Sequence, residues 1–174
     1  SGGGTLGGLK AYPCVERYEG KVEVYQILTD VPDGVYELTC QAFERPAGND
    51  KNTIDMESKV VLYMNEWQTP VQNILADAIP EAEAVDYENC FITGGDPTED
   101  YYDTGGTKNK DYLSAYGYIP DGMSGSSYAF RAGRYQQSAK GLVQGGTMKI
   151  GLTSNGLNAH WALWAEFKLV YIGS

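Results

Sequence analysis

The 174 residues suit one domain and can bury a core without help from a disulfide or a metal. A formal charge of −10 excludes the clustered Lys and Arg that phosphate backbones or anionic membrane surfaces require, so nucleic acid is not an expected partner. No apolar run approaches the roughly 20 residues of a membrane span, which excludes direct membrane insertion by a helix. Three cysteines (Cys14, Cys40, Cys90) cannot all pair, and 22 Gly with 14 Tyr favour strands and turns over helices.

Taken in chain order, Ser1-Gly2-Gly3-Gly4 reads as a trimmed start that leaves export open. The first clear strand is Val22–Leu28: Val22, Val24, Gln26 and Leu28 share one face, Glu23, Tyr25 and Ile27 the other. Val31-Pro32-Asp33-Gly34 is a turn, with Pro setting φ and Gly free to take a positive one. The next strand, 35–43, points Tyr36, Leu38, Cys40 and Ala42 inward, and Glu37, Thr39 and Gln41 outward. Cys40 serves there as a small core residue, and a Cys14–Cys40 bridge stays open. Val60, Leu62 and Met64 alternate in a third strand; Thr69-Pro70 suggests an N-cap and first helical position for a short helix running to Ala76. A second short helix is expected over 124–132, with Gly133 just past its end. Gly145-Gly146 then turns the chain into a strand built on Met148, Ile150 and Leu152, and Asn155-Gly156 marks another turn. In the last strand, 161–172, simple alternation puts Trp161, Leu163, Phe167, Leu169 and Tyr171 on one face, and Trp164, Glu166, Lys168, Val170 and Ile172 on the other. Many short strands and little helix give an all-β fold, an antiparallel β-sandwich in a single domain over residues 1–174.

One segment departs from this rhythm. Residues 77–121 carry 11 of the 23 acidic residues against Lys108 and Lys110 alone, with six tyrosines among them. A loop of this length in a compact domain is usually functional, and its tyrosines argue for order. Within it, Tyr101 and Tyr102 beside Asp100 and Asp103 either form an adaptable contact surface or hold the loop against itself.

The order of the motifs adds a resemblance. Val24-Tyr25-Gln26, then Val31 to Tyr36, Gln41-Ala42-Phe43-Glu44-Arg45, Leu62-Tyr63-Met64-Asn65, Thr69-Pro70, Ala129 to Tyr135 and Trp161 to Leu169 together resemble galactose-binding-domain-like modules of exported surface proteins of gut-dwelling Gram-negative bacteria. The resemblance spans most of the chain outside the acidic segment. It implies a jelly-roll sandwich excised from a larger exported protein, located in the periplasm, at the outer-membrane surface or outside the cell. It also implies a non-catalytic carbohydrate-binding role, with a glycan or polysaccharide, or other domains of the same surface protein, as partners. Where similar modules carry an Asp-Asn pair before the final Phe, this chain has Ala165-Glu166, which removes an oxygen ligand for a structural calcium. No metal site and no cofactor are therefore expected, although the loop acids could hold Ca²⁺ weakly.

A sugar site needs aromatic platforms beside amides and carboxylates. Trp164 is one candidate, on the face of Glu166 and Lys168; the alternative is a satellite core residue under the long loop. Asn65-Glu66-Trp67 sits at a strand end, where Trp67 either stacks on a ligand with Asn65 and Glu66 beside it or packs on the sheet edge. His160, the sole histidine, either contacts ligand or makes a structural hydrogen bond. No G-x-S-x-G, H-E-x-x-H or C-x-x-C motif is present and the glycines fall in turns, so no enzyme is expected. A glycoside hydrolase would need a carboxylate pair across a cleft. The alternative to sugar binding is a protein-interaction or structural spacer module.

Overall fold

The computed structural model describes residues 13–46, 57–74, 126, 129–154 and 160–174, together with the backbone of two short paired strands, β1 (Thr5–Leu6) and β2 (Leu9–Lys10). Eight further strands follow: β3 (Val15–Tyr18), β4 (Val22–Thr29), β5 (Gly34–Arg45), β6 (Val60–Met64), β7 (Trp67–Pro70), β8 (Gln136–Val143), β9 (Thr147–Ser154) and β10 (Trp161–Gly173). They form two four-stranded antiparallel sheets, sheet I in the order β3-β10-β5-β8 and sheet II in the order β4-β9-β6-β7. The fold is an all-β antiparallel sandwich with little helix among the described residues.

Alternation explains the main core. Tyr36, Leu38, Cys40 and Ala42 of β5 face Val60, Leu62 and Met64 of β6 and Met148, Ile150 and Leu152 of β9, all buried between the sheets. Sheet I also carries a second core on its other face. There Phe43 meets Phe130, Tyr135 and Trp161 with ring centroids 5.6, 5.0 and 5.3 Å away, among Cys14, Ile74, Leu163 and Ala165. The segment 161–165 is thus buried on both sides. Cys14 and Cys40 belong to these two separate cores and are both free thiols.

The turns follow their chemistry. Gly145 and Gly146 both take positive φ, and Asp33 Oδ1 accepts the Gly145 amide at 2.9 Å, tying that turn to the one before β5. Residues 129–131 are helical, and Gly133, at φ 67°, ends the turn: its amide donates to the Phe130 carbonyl and the Arg134 amide to that of Ala129, both at 3.0 Å. This double bond pattern is a Schellman motif. The expected helix from Thr69-Pro70 does not form there. Thr69 and Pro70 complete β7 opposite Leu62 and Val61, with the proline at the end of an edge strand, where its missing donor costs no ladder bond. The remainder of that segment, from residue 75, lies outside the described residues, as does the acidic segment 77–121.

The largest correction concerns β10. Between Ala165, opposite Gln41, and Lys168, opposite Thr39, two residues face one, and Glu166 takes a φ of 54°. This bulge reverses the alternation. Upstream, Ala162 and Trp164 point into the inter-sheet core; downstream, Leu169 and Tyr171 do, Leu169 against that core and Tyr171 edge-on to Tyr36. Trp164 is therefore 3 % exposed, a core side chain with no wet face, and simple alternation through the bulge misplaced it.

Candidate functional site at the open edge

The described residues among those singled out in the sequence do not converge. Asn65 and Glu66 form the two-residue turn between β6 and β7, with Asn65 at φ 50°. Asn65 Oδ1 accepts the Lys149 amide at 2.8 Å, and the Asn65 amide donates to the Lys149 carbonyl at the same distance. Asn65 is thus a clasp on β9, while Glu66 is exposed. Trp67 packs on the sheet edge: its indole N–H donates to the Leu142 carbonyl of β8 at 3.1 Å, and its ring occupies the space a side chain at Gly141 would fill. Tyr101 and Tyr102 lie outside the described residues.

His160 makes a structural bond. Its Nδ1 lies 2.5 Å from Oε1 of Glu44, and the two side chains are 5 % and 0 % exposed. Glu44 Oε2 accepts the Ser58 hydroxyl and the amides of Lys59 and Val60 at 2.8, 2.6 and 2.9 Å, while Oε1 is paired with His160 Nδ1. A fully buried carboxylate survives only when its oxygens are this well supplied. The Glu44 amide also donates to Gln72 O, so one residue joins the entry to β6, the exit from β7 and the entry to β10. Motif searching flags His160 but not Glu44, whose partners are remote in sequence.

The thiols are no better placed for chemistry. Burial pushes Cys40 up to about 12, and burial followed by the charge of Glu16 raises Cys14. Among the described residues no His, Cys, Asp and Glu side chains gather as a metal-holding group.

What the fold does assemble lies along the opposite edge from Trp67. A cleft of about 170 Å³ opens between the sheets where β4 and the second half of β10 face each other, lined by Val24, Tyr25, Gln26, Ile150, Gly151 and Phe167. The bulge creates it, because only the reversed alternation turns Phe167 inward. On the outer face of sheet II, Gly151 stands between Tyr25 of β4 and Tyr63 of β6 in the cross-strand register. The Lys149 ammonium sits 4.1 Å from the Tyr25 ring centroid and 5.6 Å from that of Tyr63, and 3.3 Å from Glu23 Oε1. Glu23 above all, with Tyr63 adding to it, raises Lys149 above the ordinary lysine range, against partial desolvation. The Tyr63 hydroxyl is buried and its geometry falls short of a hydrogen bond, so it acts on Lys149 as a nearby dipole. Tyr25, half exposed, borders both the cleft and this charged pair. Comparison of the chain with protein-family models, with curated proteins and with solved structures gives no match.

Proposed function

We propose that this chain is a non-catalytic carbohydrate-binding module of a secreted or surface-attached protein, with its ligand site centred on Tyr25. The observation that carries the reading is the position of that ring. It offers an aromatic face to a pyranose, with the Gln26 and Phe167 cleft on one side and the Lys149–Glu23 donor and acceptor pair on the other. The cleft is of monosaccharide scale, and among the described residues its lining includes no Asp or Glu that could act as an acid or nucleophile. Among the described residues the arrangement closest to a catalytic dyad, Glu44 with His160, is buried, and Glu44's oxygens are taken up by structural bonds.

Calorimetric titration of the domain against soluble plant and host polysaccharides tests the proposal. Binding by the unaltered protein is expected, with Tyr25→Ala weakening it at least tenfold, or about 1.4 kcal/mol. Lys149→Met should weaken it less. No binding of any glycan at millimolar concentration overturns the reading. The alternative, a protein-interaction module, draws on a separate observation, the apolar free edge of sheet I.

A further inference from the structure

The candidate sugar site holds an ion pair in the open. Glu23 and Tyr25, two apart on β4, share the outer face of sheet II with Lys149 and Gly151 of β9. Lys149 stands opposite Ile27 in the register, yet its ammonium lies 4.1 Å from the Tyr25 ring centroid and 3.3 Å from Glu23 Oε1. Its stem therefore runs back along β9 past Gly151, where no side chain blocks it. The Lys149 and Glu23 side chains are 41 % and 59 % exposed, and Tyr25 is half exposed, so a sugar lying on that ring meets both charges. The adjoining cleft adds no charge: its described lining of Val24, Tyr25, Gln26, Ile150, Gly151 and Phe167 is uncharged at neutral pH.

We propose that Glu23 is a specificity-determining residue of this site and confines it to uncharged glycans; the inference rests on the reading of Tyr25 as the sugar platform. With the pair intact, the Glu23 carboxylate accepts a sugar hydroxyl and the Lys149 ammonium donates to a sugar oxygen, so an uncharged ring is held without parting the two. A sugar that bears a carboxylate competes with Glu23 for Lys149. Whether it shares the ammonium or displaces Glu23 from it, two negative charges then stand at one positive charge. The described lining of the cleft supplies no second cation to balance them. The formal charge of −10 also repels an acidic glycan, but from farther away, and salt screens that part first. The contact with Glu23 is of shorter range and survives more salt.

Calorimetric titration with matched oligosaccharides tests the proposal: mannan against mannuronate, glucan against glucuronate, and galactan against galacturonate fragments. The uncharged member of at least one pair should bind at least tenfold more tightly than its acid. A several-fold preference should persist at about 1 M sodium chloride, where the screening length is about 3 Å. Glu23→Gln keeps an acceptor oxygen, removes the charge and releases Lys149, so it should raise uronate affinity at least tenfold. Thermal melting monitors the fold of this variant, whose altered side chain is exposed. A uronate bound as tightly as its uncharged partner overturns the proposal. So does a preference that vanishes at high salt, which would belong to the overall charge, or a Glu23→Gln protein with the parent's preference. In those three outcomes a glycan still binds, and the sugar platform at Tyr25 stands. No binding of any glycan overturns the platform and the proposal together.

Discussion

Along the β7/β8 edge of the sandwich the Trp67 indole lies over Gly141 and donates to the Leu142 carbonyl, joining the two sheets across the gap. Along the β4/β10 edge no such lid exists among the described side chains: Phe167 and Val24 flank an opening, and of the exposed large apolar residues described all but Trp67 and Leu142 lie on β3, β4 or β10. A glycine serves each edge, for different reasons. At Gly141 a Cβ would meet the Trp67 ring at 2.0 Å, so the missing side chain makes room for a lid. At Gly151 a Cβ would meet the Val24 carbonyl oxygen at 2.1 Å, so the missing side chain lets β4 lie close beside β9 and leaves the ground between Tyr25 and Tyr63 clear. One edge spends its tryptophan on closure, and the other leaves its aromatic rings facing water.

The core common to both edges gives the largest expected effect. Trp164→Ala should cost about 3–5 kcal/mol, because it empties the inter-sheet core instead of trimming a surface platform. The glycines sharpen the comparison. Gly151→Ala collides with backbone that cannot swing away and should cost about 3 kcal/mol. Gly141→Ala collides with a side chain that can lift off, and about 1–2 kcal/mol is expected. Urea denaturation midpoints rank the three; a Gly151→Ala protein as stable as the parent would contradict the close approach of β4.

The same side chains mark what could be read from the sequence. Period-2 alternation placed Tyr36, Leu38, Cys40 and Ala42, and Met148, Ile150 and Leu152, because straight strands with one core face write that pattern directly. It failed at Trp164 because a bulge adds one residue, and nothing local distinguishes Ala165-Glu166-Phe167 from continuing strand. Thr69-Pro70 carried helix-start chemistry, but pairing with Val61 and Leu62 overrode it. Of the site, Trp67 was legible as a residue at a strand end, with edge packing as one of its two readings. The Tyr25, Lys149 and Phe167 grouping was not legible, since it depends on three strands from distant parts of the chain and on the bulge. Glu44 stayed hidden for the same reason, as a buried acid looks like any other acid until its donors are known.

Truncating one ring at each edge separates closure from exposure. Trp67→Ala loses packing and a hydrogen bond that join the sheets and should cost about 2 kcal/mol, whereas Phe167→Ala, already 38 % exposed, should cost about 1 kcal/mol. Glycan affinity should move the other way, falling several-fold for Phe167→Ala and staying put for Trp67→Ala. A loss of affinity in Trp67→Ala alone would shift the site to the closed edge.

The smallest expected effects are in pH dependence, and they too divide by edge. On sheet I, toward β8, Glu37 accepts the Ser138 hydroxyl at 2.6 Å and lies 3.2 Å from Lys140, and these two in that order hold its carboxyl below its ordinary 4.5. On sheet II, toward β4, Lys149 is held above its ordinary 10.5, chiefly by Glu23. A lowered carboxyl contributes stability that is complete above its unfolded value and is lost as pH falls through the folded one; a raised amine contributes stability that is complete below its unfolded value and is lost as pH rises through the folded one. Glu37→Gln should therefore flatten only the acid limb of the stability curve, below about pH 4.5, and Lys149→Met only the alkaline limb, above about pH 10.5. Both groups are solvated, so each change is small and is read from the difference between variant and parent melting curves across pH. If Glu37→Gln left the acid slope unchanged, the Ser138 and Lys140 contacts would not favour the ionised carboxylate in solution. If Lys149→Met left the alkaline slope unchanged, the ammonium would not rest beside Glu23 and over Tyr25, and the open edge would lose the charged half of its candidate sugar site.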